Sequence, residues 1–355
     1  MEKMSNRAID LFSGAGGLSL GLKMAGWDVR IAVEYLPTAV ETHRKNMPEV
    51  VHLCNDIRDI KFQEYSGTVD LVAGGPPCQP FSVSGKQLGK LDVRDMVPEF
   101  VRVVEEIRPK AFLMENVQGL TSSRFMPYLE ERIDDLKSLG YEVYWQVLNA
   151  ADYGVPQNRK RLFVIGVPPK TKFEFPKPTH GPKGKHRYCT VADALLNCTV
   201  SDSNRAKVVY AKNPVLRRSA FAGMLLNGKG RPLNMNAPSH TIPATAGGNR
   251  THILDPDGIL VAYHSELLSG GAARQGEVDG CTRLTVSQSA RLQTFPDWFE
   301  FAGRKNQQYA QIGNAVPPQL AAVVGKALKS ALENVESAAP EGVTNYKKQG
   351  VLELR

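Results

Sequence analysis

The nonapeptide Gly74-Gly75-Pro76-Pro77-Cys78-Gln79-Pro80-Phe81-Ser82 sets one thiol between two proline-stiffened turns. Proline fixes φ and removes a backbone donor, so this run propagates neither a helix nor a central strand. It follows Val69-Asp70-Leu71-Val72-Ala73, which has the length and apolarity of a short buried strand. Cys78 is therefore expected on a rigid loop at a strand's carboxyl end, where open α/β sheets place their chemistry. A lone cysteine is ordinarily an inert core side chain; this loop composition points instead to a nucleophile. The reactive form is the thiolate, and an unperturbed thiol with a pKa of about 8.5 is only a few per cent ionised at neutral pH.

A second constellation is Asp10-Leu11-Phe12-Ser13-Gly14-Ala15-Gly16-Gly17, followed seventeen residues later by Glu34. Glycines between a strand and a helix let the backbone turn tightly and approach a ligand closely. An acidic residue at the end of the next strand can accept hydrogen bonds from ribose hydroxyls. The run is not the G-x-G-x-x-G dinucleotide fingerprint, and Phe12 can pack on an adenine ring. These residues favour an adenosine ligand without a pyrophosphate, such as S-adenosyl-L-methionine, over a dinucleotide.

The elements that must carry these loops follow a βα alternation. Residues 8–12, 29–33, 50–53, 69–73, 111–114, 144–148 and 162–167 read as strands, and residues 18–25 and 128–139 as helices. Val97, Phe100, Val101, Val104 and Ile107 form a helical stripe. The pattern predicts a parallel sheet covered by helices. Texture changes after Pro168-Pro169: residues 170–282 are rich in Pro, Gly, Asn and basic side chains. Helices then return at 286–292 and over Leu320, Val323, Val324, Ala327, Leu328, Ala331 and Leu332, whose stripe needs a partner in the first half. The expected organisation is residues 1–175 as a catalytic and cofactor-binding unit, 176–283 as a basic insertion, 284–335 as a return to the first unit, and 336–355 as a polar tail.

Residues 176–283 hold fourteen Lys and Arg against seven Asp and Glu, so this segment carries nearly all of the chain's net charge of +8. Such a concentration is the electrostatic footprint of a polyanion-binding module. No apolar run has the ~18 residues of a membrane span, and no long apolar core follows the N-terminus, against a secretory signal. Five cysteines without a C-x-x-C pair argue against a disulfide framework and against structural zinc. A reducing, cytoplasmic setting is expected.

Six stretches in order carry a family resemblance: Asp10 to Gly17; Gly74 to Ser82; Glu115-Asn116-Val117; Gln157-Asn158-Arg159-Lys160-Arg161; Arg283-Leu284-Thr285 with Ala290-Arg291-Leu292-Gln293-Thr294-Phe295-Pro296; and Gly313-Asn314-Ala315-Val316-Pro317-Pro318. Together they resemble the DNA (cytosine-5)-methyltransferases of the bacterial modification type. The resemblance implies a methyltransferase fold with a mixed, mostly parallel seven-stranded sheet, helices on both faces, and a smaller loop-rich target-recognition domain where the basic insertion lies. It implies S-adenosyl-L-methionine as cofactor, with Phe12, Gly14, Ala15, Gly17, Glu34, Tyr35, Asp56, Ile57, Pro77, Val97 and Asn314 lining its pocket. One departure is Gln288, where the family commonly has Glu; that position is expected to pack between domains.

The implied reaction adds the Cys78 thiolate to C6 of cytosine, which makes C5 nucleophilic. Charge then develops toward N3 and O2 of the ring. Glu115 is expected to share a proton with N3, Arg159 to bind O2, and Arg161 to brace the loop, the two arginines also favouring the thiolate. A base within duplex DNA must be flipped out, with residues 84–95, hinged at Gly85 and Gly89 and carrying Lys86 and Lys90, closing over it. Arg217, Arg218, Lys229, Arg231, Arg250 and Arg274 are candidates for phosphate or base contacts, while His240 and His252 read as satisfied surface side chains. No metal is implied. The expected partner is double-stranded DNA, with a restriction endonuclease acting on the same site, and the expected state is a monomer. A tRNA methylase of the same family is the alternative; the basic insertion of roughly a hundred residues favours DNA, and intact Cys78 and Glu115 argue against a non-catalytic binding protein.

Overall fold

Strands too short and too apolar to stand alone require cover on both faces, and the chain supplies it from helices threaded between them. The computed structural model describes residues 6–77, 95–196, 198 and 202–338. In order come β1 (Arg7–Leu11), α1 (Gly17–Met24), β2 (Asp28–Val33), α2 (Pro37–Asn46), β3 (Val51–Leu53), β4 (Leu71–Gly74), α3 (Val97–Ile107), β5 (Ala111–Val117), α4 (Met126–Ser138), β6 (Glu142–Asn149) and β7 (Lys160–Val167). They form a seven-stranded sheet of order β3-β2-β1-β4-β5-β7-β6. The first five strands in that order are parallel, and β7 is antiparallel to both β5 and β6.

Two apolar cores sandwich the sheet. One holds Phe62, Phe100, Val104, Phe112, Leu129 and Leu136. The other holds Leu22, Trp27, Leu320, Val324 and Leu328. The second core joins the chain's two ends, because α9 (Pro318–Ala338) packs on α1. The contact is close: a Cβ added at Gly21 would lie 2.4 Å from Ala321 Cβ, and Trp27 Nε1 donates to Gly325 O at 2.9 Å.

Residues after β7 form α5 (Val191–Leu195), the hairpin β8 (Tyr210–Val215) and β9 (Met224–Leu226), β10 (Ile253–Leu254), α6 (Ile259–Leu268) and β11 (Thr282–Arg283). They wrap a small separate core of Val208, Leu225, Leu226, Ile253, Leu260, Tyr263, Val278 and Cys281. Its polar tie is Arg283, whose guanidinium donates to the carbonyls of Lys207, Asn227, Asn249 and Thr251 and to Asn227 Oδ1. Arg283→Ala removes the donor from the Thr251 and Asn227 carbonyls and cuts the tie between four segments, so a loss of about 3 kcal/mol is expected. Urea unfolding measures it, and hydrogen exchange should localise it to residues 206–283.

The chain then returns through α7 (Val286–Leu292) and α8 (Lys305–Asn314) before α9. Gln288 sits at the third position of α7, where it accepts from Thr285 N and donates its own N–H to Thr285 Oγ1. It closes a local capping box. The α3 stripe is Val97, Phe100, Val103, Val104 and Ile107; Val101 is only half-buried. Helices α2, α5, α6 and α8 are not among the predicted ones, and α2 shows why: its inward face includes Thr42 and His43 beside Ala39 and Val40, which leaves no apolar period to read. Among the described residues no helix is long and apolar enough to cross a membrane. The expected polar tail beyond residue 338 lies outside the described residues.

Candidate active site

Parallel strands bring their carboxyl ends to one edge, and the loops leaving β1 to β4 meet there with the end of β5. Phe12, Gly14, Ala15 and Gly17 follow β1, and Glu34 and Tyr35 follow β2. Asp56 and Ile57 follow β3, Pro77 follows β4, and Val97 opens α3. Phe12 has φ 56°, a left-handed conformation rare for a bulky side chain. Glu34 is buried, and its carboxylate accepts from Gly14 N at 3.0 Å and Leu36 N at 2.9 Å. Burial raises its pKa from the ordinary range against those bonds.

The glycine loop is open on one side and closed on the other. A Cβ at Gly14 would meet nothing within 4 Å, whereas one at Gly17 would lie 2.3 Å from Val316 O. The second contact seats the loop beside Asn314, at the end of α8, which is exposed. Open space above Gly14, a fixed carboxylate on Glu34 and an aromatic ring at Phe12 fit an adenosine carrying a short amino-acid arm. Tyr35 is 61% exposed, so its ring is available at the rim. The Asp56 carboxylate is engaged by Arg58, which holds its pKa down at about 2.

On β5 the carboxylate sits where two further elements converge. Val117 pairs with Arg161 across the antiparallel register, and Glu115, two residues away, shares that face. Arg161 Nε lies 3.0 Å from Glu115 Oε1. Glu115 Oε1 makes no aligned hydrogen bond, so the contact is coulombic and leaves acceptor capacity unused. The Glu115 carboxylate also faces Gly75, where an added Cβ would be 3.3 Å from Oε2. Burial pushes the Glu115 carboxyl up from its ordinary range, against the pull of Arg161 and Arg159. Next along the strand, Asn116 Nδ2 donates to Pro76 O at 3.1 Å and so pins the root of the proline loop. Cys78, Gln79, Pro80, Phe81 and Ser82 lie outside the described residues, as do Gly85, Lys86, Gly89 and Lys90.

Arg159 has a different environment from Arg161. It is 1% exposed, and its guanidinium donates to the carbonyls of Ile242, Gly313 and Asn314. Gln157 is fully buried and donates to Leu292 O and Gln293 Oε1, while Gln293 donates to Ile312 O and Ala315 O. Three stretches distant in sequence are thereby knit into one polar core behind the glycine loop. Gln293 and Asn116 were quoted only as parts of motifs; nothing in a single sequence marks them as the bonds between loops.

The described chain matches the C-5 cytosine-specific DNA methylase family over residues 6–330. It belongs to that family. The chain is 35% identical over 333 residues to the Type II methyltransferase M.NgoMIV of Neisseria gonorrhoeae, covering 93% of this chain and 99% of that one. It is 33% identical over 347 residues to M.AplI of Arthrospira platensis, covering 96% and 90%. Among solved structures, a prophage-encoded Escherichia coli protein described as a candidate DNA modification methyltransferase superposes with a TM-score of 0.64 at 25% identity, covering 92% of this chain and 99% of that one. A DNMT2 structure from Spodoptera frugiperda shares the fold, with a TM-score of 0.67 at 18% identity and coverage of 92% and 100%. This cytosine methylase is thus an enzyme that uses S-adenosyl-L-methionine to methylate C5 of cytosine in DNA.

In the methylase's basic segment, the side chains of Arg217, Arg218, Lys229, Arg231 and Arg250 are exposed and have no ion pair among the described residues. Arg274 instead pairs with Glu266 and lies over the Tyr263 ring, 5.4 Å from its centroid. His252 is buried rather than on the surface, with hydrogen bonds to Arg231 N and Thr241 O.

Proposed function

We propose that Cys78 attacks C6 of a cytosine flipped out of duplex DNA, and that Glu115 and Arg161 receive the charge this creates on the ring. The observation that carries the reading is the Glu115–Arg161 pair set against the backbone of Gly75, with Asn116 holding Pro76. The described chain reaches Pro77, one peptide bond from Cys78. A buried carboxyl with a raised pKa is suited to share a proton with ring N3, and a guanidinium beside it is suited to O2. That role goes to Arg161. The Arg159 fork is occupied by three backbone carbonyls, which suits the positioning of residues 242 and 313–314 against the site.

S-adenosyl-L-methionine supplies an electrophilic methyl on a sulfonium. Phe12, Gly14, Ala15, Gly17, Glu34, Tyr35, Asp56, Ile57, Pro77, Val97 and Asn314 are proposed to hold it, Glu34 by accepting from the ribose and Phe12 by stacking. Glu34→Gln keeps the side chain's shape but weakens the acceptor; roughly tenfold weaker binding of S-adenosyl-L-methionine is expected by titration calorimetry.

Residues 176–283 are proposed to recognise the DNA sequence, through the exposed arginines and Lys229; phosphate contacts of this kind make affinity fall steeply with salt. The Type II relatives support a place in a bacterial restriction-modification pair with an endonuclease acting on the same site, in the cytoplasm. Action as a monomer is part of the same proposal. The test is transfer of labelled methyl to duplex DNA and to tRNA, with the modified cytosines located by sequencing. Label in DNA at a single short sequence is expected; label in tRNA alone would sink the reading.

A further inference from the structure

Beneath the glycine loop four side chains, from four different elements, form a continuous hydrogen-bonded row. Ser19 Oγ of α1 is 2.5 Å from Asp10 Oδ2 of β1. His43 Nε2 of α2 is 2.9 Å from Ser19 Oγ, and His43 Nδ1 is 2.7 Å from His52 Nε2 of β3. Asp10, Ser19 and His43 are each 0% exposed, whereas His52 is partly exposed. The same His43 ring supports the loop directly: Gly16 has φ 91°, and a Cβ there would sit 2.6 Å from His43 Cδ2.

A hydroxyl and an imidazole each donate and accept, so the row is satisfied in two opposite polarities. With Asp10 ionised, Ser19 donates to Asp10, His43 donates to Ser19, and His52 donates to His43. With Asp10 protonated, every donor and acceptor reverses. Asp10 Oδ1 has no hydrogen-bond partner, so the first polarity leaves an unmatched charge beneath the loop. Glu34 raises the cost of that charge, and Lys23 and Arg44 face the two imidazoles.

We propose that Asp10, Ser19, His43 and His52 are positioning residues for the methyl-donor loop, holding Gly16 in place and setting the charge beneath the bound sulfonium. The inference rests on the reading that residues 12–17 hold S-adenosyl-L-methionine. Burial raises Asp10 to about 7, and burial together with His52 and Lys23 lowers His43 to about 3. His43 therefore stays neutral, and the charge on Asp10 changes near neutrality. The ionised form favours a cationic ligand, so affinity for the sulfonium rises with pH through that range.

Titration calorimetry on the full-length enzyme at pH 6, 7 and 8, with S-adenosyl-L-methionine and its uncharged thioether S-adenosylhomocysteine, tests the charge. A severalfold gain with pH is expected for the sulfonium only, and Asp10→Asn should remove it. Glu34 also has a raised pKa, and a pH step that survives Asp10→Asn belongs to Glu34 and overturns this part of the proposal.

Steady-state kinetics test the positioning. Ser19→Ala and His43→Phe, the latter keeping bulk under Gly16, should raise KM for S-adenosyl-L-methionine roughly tenfold while kcat and KM for DNA stay within about twofold. Thermal unfolding shows whether each variant folds. His52→Ala, at the partly exposed end, provides a variant with little to lose in packing, and its KM for S-adenosyl-L-methionine should rise severalfold. Folded relay variants that bind S-adenosyl-L-methionine as wild type does, beside a Glu34→Gln that binds it weakly, overturn the relay alone. Unchanged binding in Glu34→Gln as well removes the loop reading with it.

Discussion

Cys78→Ser is expected to abolish methyl transfer while leaving S-adenosyl-L-methionine binding intact. A serine hydroxyl ionises far less readily than a thiol and is a weaker nucleophile toward C6 of the ring. Nothing else in the proline loop can replace it, because Gln79, Phe81 and Ser82 offer only neutral groups. The expected loss in single-turnover rate is at least about ten-thousand-fold, the scale on which nucleophile removal acts elsewhere. The check is quenched-flow transfer of labelled methyl, paired with calorimetry to show that the donor still binds. DNA carrying 5-fluorocytosine at the target gives an independent readout. Fluorine cannot leave as a proton does, so wild type should remain covalently joined to the DNA through denaturation, and Cys78→Ser should not. Full transfer by the serine variant would exclude Cys78 from the reaction.

Glu115→Gln is expected to lower kcat by roughly a hundred- to a thousandfold, the range of a general acid–base contribution. The amide keeps the shape against Gly75 but has no proton of suitable acidity to share with N3. The sign of the pH effect follows from burial, which raises the Glu115 carboxyl from its ordinary range. Its protonated form is complete below that range and is lost as pH rises through the raised value. The thiolate fraction of Cys78 changes in the opposite sense, so the wild-type rate should pass through a maximum. Glu115→Gln should lose the alkaline fall and keep the acid limb. An alkaline limb unchanged in Glu115→Gln would assign it to another group. Glu115→Ala should behave differently again, because Arg161, with its side chain only 15% exposed, loses its counter-charge. A stability loss of about 3 to 5 kcal/mol is expected for such a stranded buried charge, read from urea midpoints.

The two variants also separate chemistry from support. If Arg161 is the group at O2, Arg161→Lys should impair turnover with little effect on the glycine loop, since a lysine replaces the planar fork with a point charge. Arg159 is bonded to Gly313 and Asn314, so its replacement should weaken donor binding as well as turnover.

Much of the sheet was legible because β2, β4, β5 and β7 contain apolar runs that stop at Glu34, Gly74, Glu115 and Pro168. The strands predicted at 8–12 and 29–33 correspond to β1 and β2 within one residue at each end. Helices with an apolar stripe, such as α3 and α9, were legible for the same reason. Helix α2 was not, because its buried face contains the polar pair Thr42 and His43: His43 is satisfied by Ser19 of α1 and His52 of β3, and Thr42 accepts from Ala302 N. The turn at 157–161 was legible only in part: Arg159 is expected at O2 of the base, yet Gln157 and Arg159 are both buried, because their partners arrive from residues 242, 292–293 and 313–314.

By itself the sequence determined the reactive types and their local settings: a thiol in a proline loop, a carboxylate ending an apolar strand, a glycine turn followed by Glu34, and a surplus of positive charge in one segment. Those follow from covalent chemistry and short-range periodicity, which act along the chain. Only the tertiary structure decided which arginine faces Glu115, what holds Pro76, and that a row from Asp10 to His52 lies beneath Gly16. Each of those is a contact between elements distant in the chain, and the energy that selects it comes from burying polar groups with their partners. A single sequence does not encode that pairing locally; the antiparallel entry of β7 beside β5 and the return of the C-terminal segment create it.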